Sequence, residues 1–186
     1  MKDITKFLFE IGHMKRLPRT GWFVAGVAAP ESLAEHSFRT IWIGYYLALK
    51  AGANPGRVVM MCLAHDVQEA RIGDHHKISQ SYLDVKAVEP KVFRDQVNKL
   101  PKSDEMIELH GECMAGETLE AQIARDADRL ECAFQALEYV NEGHEPCRPF
   151  FENTRQNLKT ESAIALWDAL AETDPKEWYL SLPRVP

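Results

Sequence analysis

The stretch "CLAHDVQEARIGD", residues 62–74, places a histidine and an aspartate side by side within an apolar helical pattern. The free energy of burial would be more favourable for leucine than for His65 or Asp66 at these positions, because a buried polar side chain without a partner is unfavourable. Neighbouring residues on a helix point about 100° apart, so the two side chains can still converge on one ion held between them. Such a pair also arises by chance, and a satisfied polar pair at a helix end is the alternative interpretation. A metal site therefore needs further ligands elsewhere in the chain.

Further donors occur on two other predicted helices. His36 lies near the start of one of them, where a surface histidine is the alternative. The segment "ARDADRLECAF" supplies Asp126 and Asp128 in a pattern otherwise typical of burial. Asp128 shares a face with small and apolar residues, whereas a salt bridge between Asp126 and Arg129 is the simpler reading of Asp126. Two imidazoles and two carboxylates suit one divalent ion among Co, Mn, Ni, Zn, Fe and Mg, and four protein ligands leave positions open for water and substrate.

Two carboxylates follow the His-Asp pair. Glu69 comes four residues after His65, on the same face of the predicted helix, and can transfer a proton beside a metal without binding it. A surface pair with Arg71 is the alternative for Glu69. Asp74 lies at the predicted helix end, where a carboxylate is disfavoured. A sugar hydroxyl and a simple turn are the two explanations for Asp74.

Helical periodicity dominates the rest of the chain, and no run alternates as a strand would. Ser32 and Glu35 form a capping box at the start of one helix, and Asn54 caps another that we expect to run through to Gly73. The other predicted helices cover residues 4–14, 90–99, 103–115, 118–142 and 150–172, with a polar loop at 74–89. We predict one all-α domain over residues 1–186.

Composition restricts the classes of function. The chain has 186 residues and a net charge of −6, which disfavours binding to long nucleic acid. No stretch is apolar for long enough to cross a membrane, and the N-terminus lacks the features of a signal peptide. The four cysteines are scattered, and the three that lie in helical apolar patterns are expected to be buried thiols. These features predict a cytoplasmic protein.

Four motifs together resemble a known family. "RLPRTGW" (16–22), "PESLAEHSFR" (30–39), "AHDVQEARIGD" (64–74) and "ARDADRLECAFQALEY" (124–139) are similar to segments of the HD-domain metal-dependent phosphohydrolases, in particular their 5'-deoxynucleotidase branch. The ordered set is specific, whereas the His-Asp pair alone is not. The resemblance implies a helical HD fold, often homodimeric, that hydrolyses deoxynucleoside 5'-monophosphates to deoxynucleoside and phosphate.

The resemblance also implies residue roles. It implies that Glu69 is catalytic, that Arg19 binds the phosphate and that Asp74 binds the sugar. The implied metal ligands are His36, His65, Asp66 and Asp128. Trp22 is our candidate for the aromatic side chain that would exclude a ribose 2'-hydroxyl.

The chain departs from the family pattern after Asp74. The branch usually has a proline-containing loop there, but here the loop reads "HHKISQSYLDV". We expect His75 and His76 to be solvated, with a substrate contact or a second metal as alternatives. Two other functions remain open: an HD-type phosphodiesterase or nucleoside triphosphate hydrolase, and a non-enzymatic helical domain that holds a structural metal.

Overall fold

The computed structural model describes residues 1–183, and its regular structure is helical. The helices are α1 (Lys2–Ile11), α2 (Gly21–Val24), α3 (Leu33–Ala51), α4 (Pro55–Ala64), α5 (Glu69–Ile72), α6 (Lys77–Gln80), α7 (Val85–Val97), α8 (Ser103–Ala115), α9 (Leu119–Asn141), α10 (Arg148–Glu152), α11 (Glu161–Ala171) and α12 (Glu177–Leu180). Residues 1–183 contain no β-strand, and one isolated antiparallel bridge pairs Pro18 with Ser32. The predicted all-α class is confirmed.

Side-chain caps fix where the central helices begin. At the start of α3, the Ser32 hydroxyl accepts a hydrogen bond from the Glu35 N–H at 3.3 Å, and the Glu35 carboxylate accepts one from the Ser32 N–H at 2.6 Å. The predicted capping box is therefore confirmed. Asn54 caps α4 by accepting from the Arg57 N–H at 3.2 Å, as predicted. Thr118 caps α9 through the N–H of Ala121 at 3.2 Å.

The core lies where α3, α4 and α9 pack against one another. Gly44 of α3 permits the closest approach, because a Cβ atom there would lie 2.6 Å from Cys62 Sγ and 3.1 Å from a methyl group of Val58, both on α4. This packing brings the start of α3, the end of α4 and the middle of α9 together.

The helix expected to run through to Gly73 is interrupted, so that prediction was wrong. α4 ends at Ala64, and α5 begins only at Glu69. In a continuous helix the Cys62 carbonyl would accept the N–H of Asp66. Here it accepts a hydrogen bond from His65 Nδ1 at 2.7 Å. The side chain of His65 thus takes over a backbone acceptor at the point where the helix stops.

Two other predicted boundaries were also wrong. The predicted loop at 74–89 contains α6 and the start of α7, which Asp84 caps through the Ala87 N–H at 3.3 Å. Pro90 lies inside α7 and does not end it. The predicted helix at 150–172 is divided into α10 and α11, because the carboxylate of Asp126 binds the backbone between them.

The C-terminal segment contains one packed helix and one exposed helix. Leu170 is buried and Trp167 stacks on Phe151 at 4.6 Å between ring centroids, so this face of α11 is a core contact and not an open surface. Trp178 and Tyr179 of α12 are exposed. Residues 184–186 lie outside the described part of the chain.

The cysteines are free thiols, and three of them are buried: Cys62, Cys113 and Cys147. Cys132 is partly buried. The prediction of buried thiols is confirmed for Cys62 and Cys113, whereas Cys132 is less buried than expected. Among residues 1–183, no helix combines the length and the apolarity that crossing a bilayer requires.

Buried His110 should make the fold sensitive to acid. It stacks on Phe93 at 4.1 Å, its Nε2–H donates to Gln68 at 3.3 Å, and burial, aided by His65, lowers its pKa to about 4. An unfolded histidine titrates near 6.5. Between these values only the unfolded chain takes up the proton, so stability falls as the pH falls below about 6.5 and continues to fall to about 4. We expect His110 to lower the free energy of unfolding by about 2 kcal/mol at pH 5.

Urea unfolding of metal-stripped protein at pH 7.5 and pH 5 measures this loss. The His110→Gln variant should lose less stability between the two values than the wild type. An equal loss in both proteins would show that His110 is not the acid-sensitive group.

Candidate metal centre

Four candidate donor atoms from three parts of the fold lie close together, and those of His36, His65 and Asp66 all lie within 4.8 Å of one another. His36 Nε2 comes from the first turns of α3, His65 Nε2 and Asp66 Oδ2 from the turn after α4, and Asp128 Oδ1 from α9. The two Nε2 atoms lie 3.2 Å apart. Asp66 Oδ2 lies 3.1 Å from His65 Nε2 and 3.6 Å from His36 Nε2. Asp128 Oδ1 lies 3.2 Å from His36 Nε2 and 4.0 Å from His65 Nε2.

Hydrogen bonds at Nδ1, on the side of each ring away from the other donors, fix the orientation of both imidazoles. His36 Nδ1 donates to the carboxylate of Glu131, and His65 Nδ1 donates to the carbonyl of Cys62. When Nδ1 of a neutral imidazole carries the proton, Nε2 presents a lone pair. In that tautomer, two nitrogen lone pairs and two carboxylate oxygens face one another, and such a donor set attracts a cation.

The residues fit a divalent ion. Atoms about 2.1 Å from a common ion lie roughly 3 Å apart when cis and about 4 Å apart when trans. The five separations given above, from 3.1 to 4.0 Å, fall in this range. Burial and Arg19 oppose a charge on His36, yet Glu131 and Asp128 outweigh them and raise the pKa of His36 to about 10. The field at the site thus attracts positive charge, and the His/carboxylate set suits a borderline or hard metal.

Arg19 lies directly beside the donors. Its Nη1 donates to Asp66 Oδ2 at 3.3 Å, and its backbone N–H donates to the carbonyl of Glu31 at 2.9 Å. Burial opposes the charge of the guanidinium, but Asp66, Asp128 and Asp74 raise its pKa well above the ordinary value. A permanently charged, five-donor side chain next to a metal site is suited to a phosphate group.

The two aspartates of "RDADR" have separate surroundings. Asp128 reaches the imidazoles, as predicted from the resemblance. Asp126 is fully buried and points to the chain before α11, where its carboxylate accepts from the Lys159 N–H at 2.9 Å and from the Thr160 N–H at 2.8 Å. It also accepts from Arg129 at 3.1 Å. The geometry therefore places Asp128, and not Asp126, beside the two imidazoles.

Glu69 begins α5 with a carboxyl group largely enclosed by protein. Its Oε2 atom is buried and has no hydrogen-bond partner within residues 1–183. Burial, and then the negative charges of Asp66 and Asp74, raise the pKa of Glu69 to about 10. An unpaired buried carboxyl oxygen is costly, and its place beside charged donors is typical of a group that exchanges a proton.

The model of the HD domain matches residues 11–167. The chain belongs to the HD-domain family. It is similar to 5'-deoxynucleotidase HDDC2 of Xenopus laevis, with 28% identity over 92% of this chain and 87% of the relative. It is also similar to 5'-deoxynucleotidase hdd1 of Schizosaccharomyces pombe, with 31% identity over 74% of this chain and 72% of the relative. A solved structure from Magnetospirillum magnetotacticum, described as a predicted metal-dependent phosphohydrolase, has a TM-score of 0.73 and 25% identity, and covers 96% of this chain and 94% of that one.

Asp74 of this HD domain ties two segments together. Its Oδ2 accepts hydrogen bonds from the hydroxyl of Thr20 at 2.8 Å and from the Thr20 N–H. Its Oδ1 lies 4.0 Å from Arg19 Nη1. Asp74 therefore holds the segment that carries Arg19 through its Oδ2 atom.

The structure corrects the prediction for Trp22. Its side chain is only 2% exposed, with its ring 4.8 Å from Phe150 and 5.1 Å from Tyr139. Its Nε1–H donates to Glu31 at 3.0 Å. Trp22 is a core residue behind the HD-domain site, and its ring is too enclosed to contact a sugar.

The two histidines after Asp74 make local contacts and are partly buried. His75 Nε2 bonds to the Ile72 carbonyl at 3.1 Å, and His76 caps α6 by accepting from the Ser79 N–H at 3.3 Å. They are thus less solvated than we expected. Each ring thus has one backbone partner nearby.

The sequence reading missed two residues behind His36. Glu131 is fully buried, and besides His36 it binds Arg39, whose Nε lies 3.0 Å from Glu131 Oε1. Arg39 also donates to Glu138 at 2.6 Å and to Gln135 at 2.7 Å. The spacing carried a signal, since Glu131 follows Asp128 by three residues and Arg39 follows His36 by three. A carboxylate behind a metal-binding histidine fixes its tautomer and raises its basicity.

Glu131→Gln should weaken metal binding by about 10- to 100-fold, because Gln keeps the volume but removes the charge that holds the His36 proton on Nδ1. Isothermal titration of metal-stripped protein with Mn²⁺ measures this change. Glu138→Gln, which alters the outer contact of Arg39, is the matched control and should bind almost as the wild type does. Equal affinity for Glu131→Gln and the wild type would contradict this role.

Proposed function

We propose that this chain is a metal-dependent 5'-deoxynucleotidase, which hydrolyses deoxynucleoside 5'-monophosphates to a deoxynucleoside and inorganic phosphate. The observation that carries the proposal is the convergence of two lone-pair imidazoles and two carboxylates beside Arg19. The names of the curated relatives support the substrate class. The free cysteines fit a reducing compartment such as the cytoplasm.

The reaction is the hydrolysis of a phosphate monoester. A water oxygen bonds to phosphorus, the bond from phosphorus to O5' breaks, and one proton from the water ends on O5'. When bound, a divalent ion supplies positive charge that stabilises the phosphate in the transition state and lowers the pKa of water. His36, His65, Asp66 and Asp128 would hold it.

Arg19 binds and orients the phosphate. In the structure its Nη1 is bonded to Asp66, which leaves further N–H donors of the same guanidinium for phosphate oxygens. Two parallel N–H···O bonds would fix the rotation of the phosphate and add charge stabilisation. The link from Asp74 to Thr20 keeps this segment in place.

Glu69 transfers the proton. Without a cation in the site, burial and the carboxylates of Asp66 and Asp74 raise its pKa and favour the protonated form, and a protonated carboxyl group can deliver a proton to O5' of the leaving deoxynucleoside. The carboxylate then formed can take up the proton that the attacking water releases. Asp74 Oδ1 is the acceptor that we propose for the sugar 3'-hydroxyl.

A panel of phosphate esters tests the reaction class. It should contain deoxynucleoside and ribonucleoside 5'-monophosphates, a phosphodiester and a deoxynucleoside triphosphate, each with Co²⁺, Mn²⁺, Mg²⁺, Ni²⁺ or Zn²⁺ added to metal-stripped protein. We expect release of phosphate from the deoxy monoesters above the others. Turnover of the diester or triphosphate alone would favour those alternative phosphohydrolase activities. A protein that holds metal but cleaves nothing would favour a structural metal domain.

A further inference from the structure

The helix break after Ala64 leaves the backbone carbonyl of His65 without its helical partner. In a continuous helix this carbonyl would accept the N–H of Glu69, but that N–H donates to the Asp66 carbonyl at 3.0 Å. Among residues 1–183, no backbone N–H reaches the His65 carbonyl. The side chain of Gln68 takes this place, and its Nε2 donates to the His65 carbonyl at 2.7 Å.

The amide of Gln68 is itself held by His110 of α8. A carbonyl oxygen only accepts, so the Gln68 nitrogen faces His65 and the Gln68 oxygen needs a different partner. That oxygen lies 3.3 Å from Nε2 of His110, which must therefore be the protonated nitrogen of the ring. Gln68 and His110 are each only 2% exposed, so little water competes for these hydrogen bonds.

Stacking fixes the His110 ring in turn. The ring centroid lies 4.1 Å from that of Phe93 on α7, with an angle of 9° between the two planes. Phe93 shares a core cluster with Ala64 and Val67, which flank the turn that carries His65. The stacked pair thus gives Nε2 of His110 one direction, toward the oxygen of Gln68.

We propose that Gln68 and His110 are positioning residues of the metal centre, which act as a relay on the peptide group between His65 and Asp66. The carbonyl that Gln68 binds belongs to this peptide group, and the group is planar. Its plane places the Cα atoms of His65 and Asp66 relative to each other. One hydrogen bond therefore sets the base from which two of the four implied ligands extend toward the other donors.

The remaining contacts of these two ligands act on their side chains. His65 Nδ1 donates to the Cys62 carbonyl at 2.7 Å, and Asp66 Oδ2 accepts from Arg19 at 3.3 Å. The hydrogen bond from Gln68 acts instead on the main chain that joins the two residues. Contacts behind the ligands typically contribute about 10- to 100-fold to metal affinity, so loss of the relay should be measurable.

Two substitutions of His110 separate the relay from simple packing. His110→Phe keeps an aromatic ring against Phe93 but removes the donor, whereas His110→Gln removes the ring and keeps an N–H donor. Isothermal titration of metal-stripped protein with Mn²⁺ at pH 7.5 should show about tenfold weaker binding for His110→Phe and nearly wild-type binding for His110→Gln. Wild-type affinity in His110→Phe, or an equal loss in the two variants, would overturn the proposal.

Gln68→Met tests the inner hydrogen bond of the relay, with Gln96→Met as the matched control. Gln96 is also a buried amide, and its Nε2 donates to the Val67 carbonyl of the same turn at 3.0 Å. That carbonyl also accepts the Ala70 N–H at 3.1 Å, so it keeps a partner in Gln96→Met. We expect about tenfold weaker Mn²⁺ binding in Gln68→Met and little change in Gln96→Met. An equal loss in both would indicate general loosening of the turn and would contradict the relay.

The double variant shows whether the two residues act in series. If His110 acts through Gln68, then Gln68→Met combined with His110→Phe should bind Mn²⁺ no more weakly than Gln68→Met alone. Losses that multiply would show independent roles and overturn the relay. Urea unfolding establishes that each variant is folded, and the two His110 variants decide if Gln68→Met is not.

The inference rests on the metal centre of the proposed function but not on its reaction. A wild type that binds Mn²⁺ without releasing phosphate would contradict the proposed function and leave the comparison of affinities intact. If the wild type bound no metal, hydrogen exchange of the metal-free proteins would decide. The backbone amides of residues 65–72 should then exchange about tenfold faster in His110→Phe than in His110→Gln, because one buried hydrogen bond is lost. Equal rates would overturn the relay.

Discussion

Asp128→Ala should abolish metal-dependent phosphate release, whereas Asp126→Ala should mainly destabilise the fold. Asp128 Oδ1 is one of the four converging donors, so its loss should weaken metal binding by more than the roughly 100-fold that an outer-shell residue contributes. Asp126 instead holds the backbone of Lys159 and Thr160. Its removal leaves buried N–H donors unpaired and should cost about 3 kcal/mol of unfolding free energy.

The pair of variants is its own control, because the same residue type is replaced two positions apart on α9. Metal titration and urea unfolding of both proteins separate the two effects. Folded Asp126→Ala protein should bind metal nearly as well as the wild type. If Asp126→Ala lost the metal and Asp128→Ala retained it, our assignment of the ligand would be wrong.

Glu69→Gln should lower kcat by about 10²- to 10⁴-fold while the metal affinity changes little. Gln fills the same volume, but it cannot carry the proton that the raised pKa of Glu69 holds in this enclosed position. Steady-state kinetics with saturating metal measure the loss.

Glu89→Gln is a useful control for Glu69→Gln, because Glu89 is another partly buried acid whose pKa is raised, first by burial and then by Asp66. It should retain most of the turnover. Glu69→Gln with wild-type kcat would remove this residue from the mechanism, and a lost metal would make it a ligand instead.

The four donor residues could be predicted from the sequence because each lies in an unusual local context. His65 and Asp66 interrupt an apolar helix, His36 follows a capping box, and Asp128 lies in a segment patterned for burial. The four side chains come from distant parts of the chain, so no spacing rule could give their distances. The ordered motifs indicated which residues belong together, and the packing of α3, α4 and α9 produces the convergence.

The features that were missed depend on contacts between distant residues. The helix breaks after Ala64 because the side chain of His65, instead of a backbone N–H, donates a hydrogen bond to the carbonyl of Cys62. The spacing of apolar residues in the sequence gives no sign of this hydrogen bond. The break before α11 arises from the reach of Asp126 across 33 residues. Trp22 is an aromatic residue of the kind that can contact a substrate, but its burial makes it a core residue.

Stoichiometric titration of metal into the metal-stripped protein, followed by phosphate release from one deoxynucleoside 5'-monophosphate, tests the central claim most directly. If the donors form a single catalytic site, the rate should rise from near zero and reach a plateau at one ion per chain. Asp66→Ala should stay at the baseline throughout. Release without added metal, a plateau only at two ions, or no release at any metal level would contradict the account.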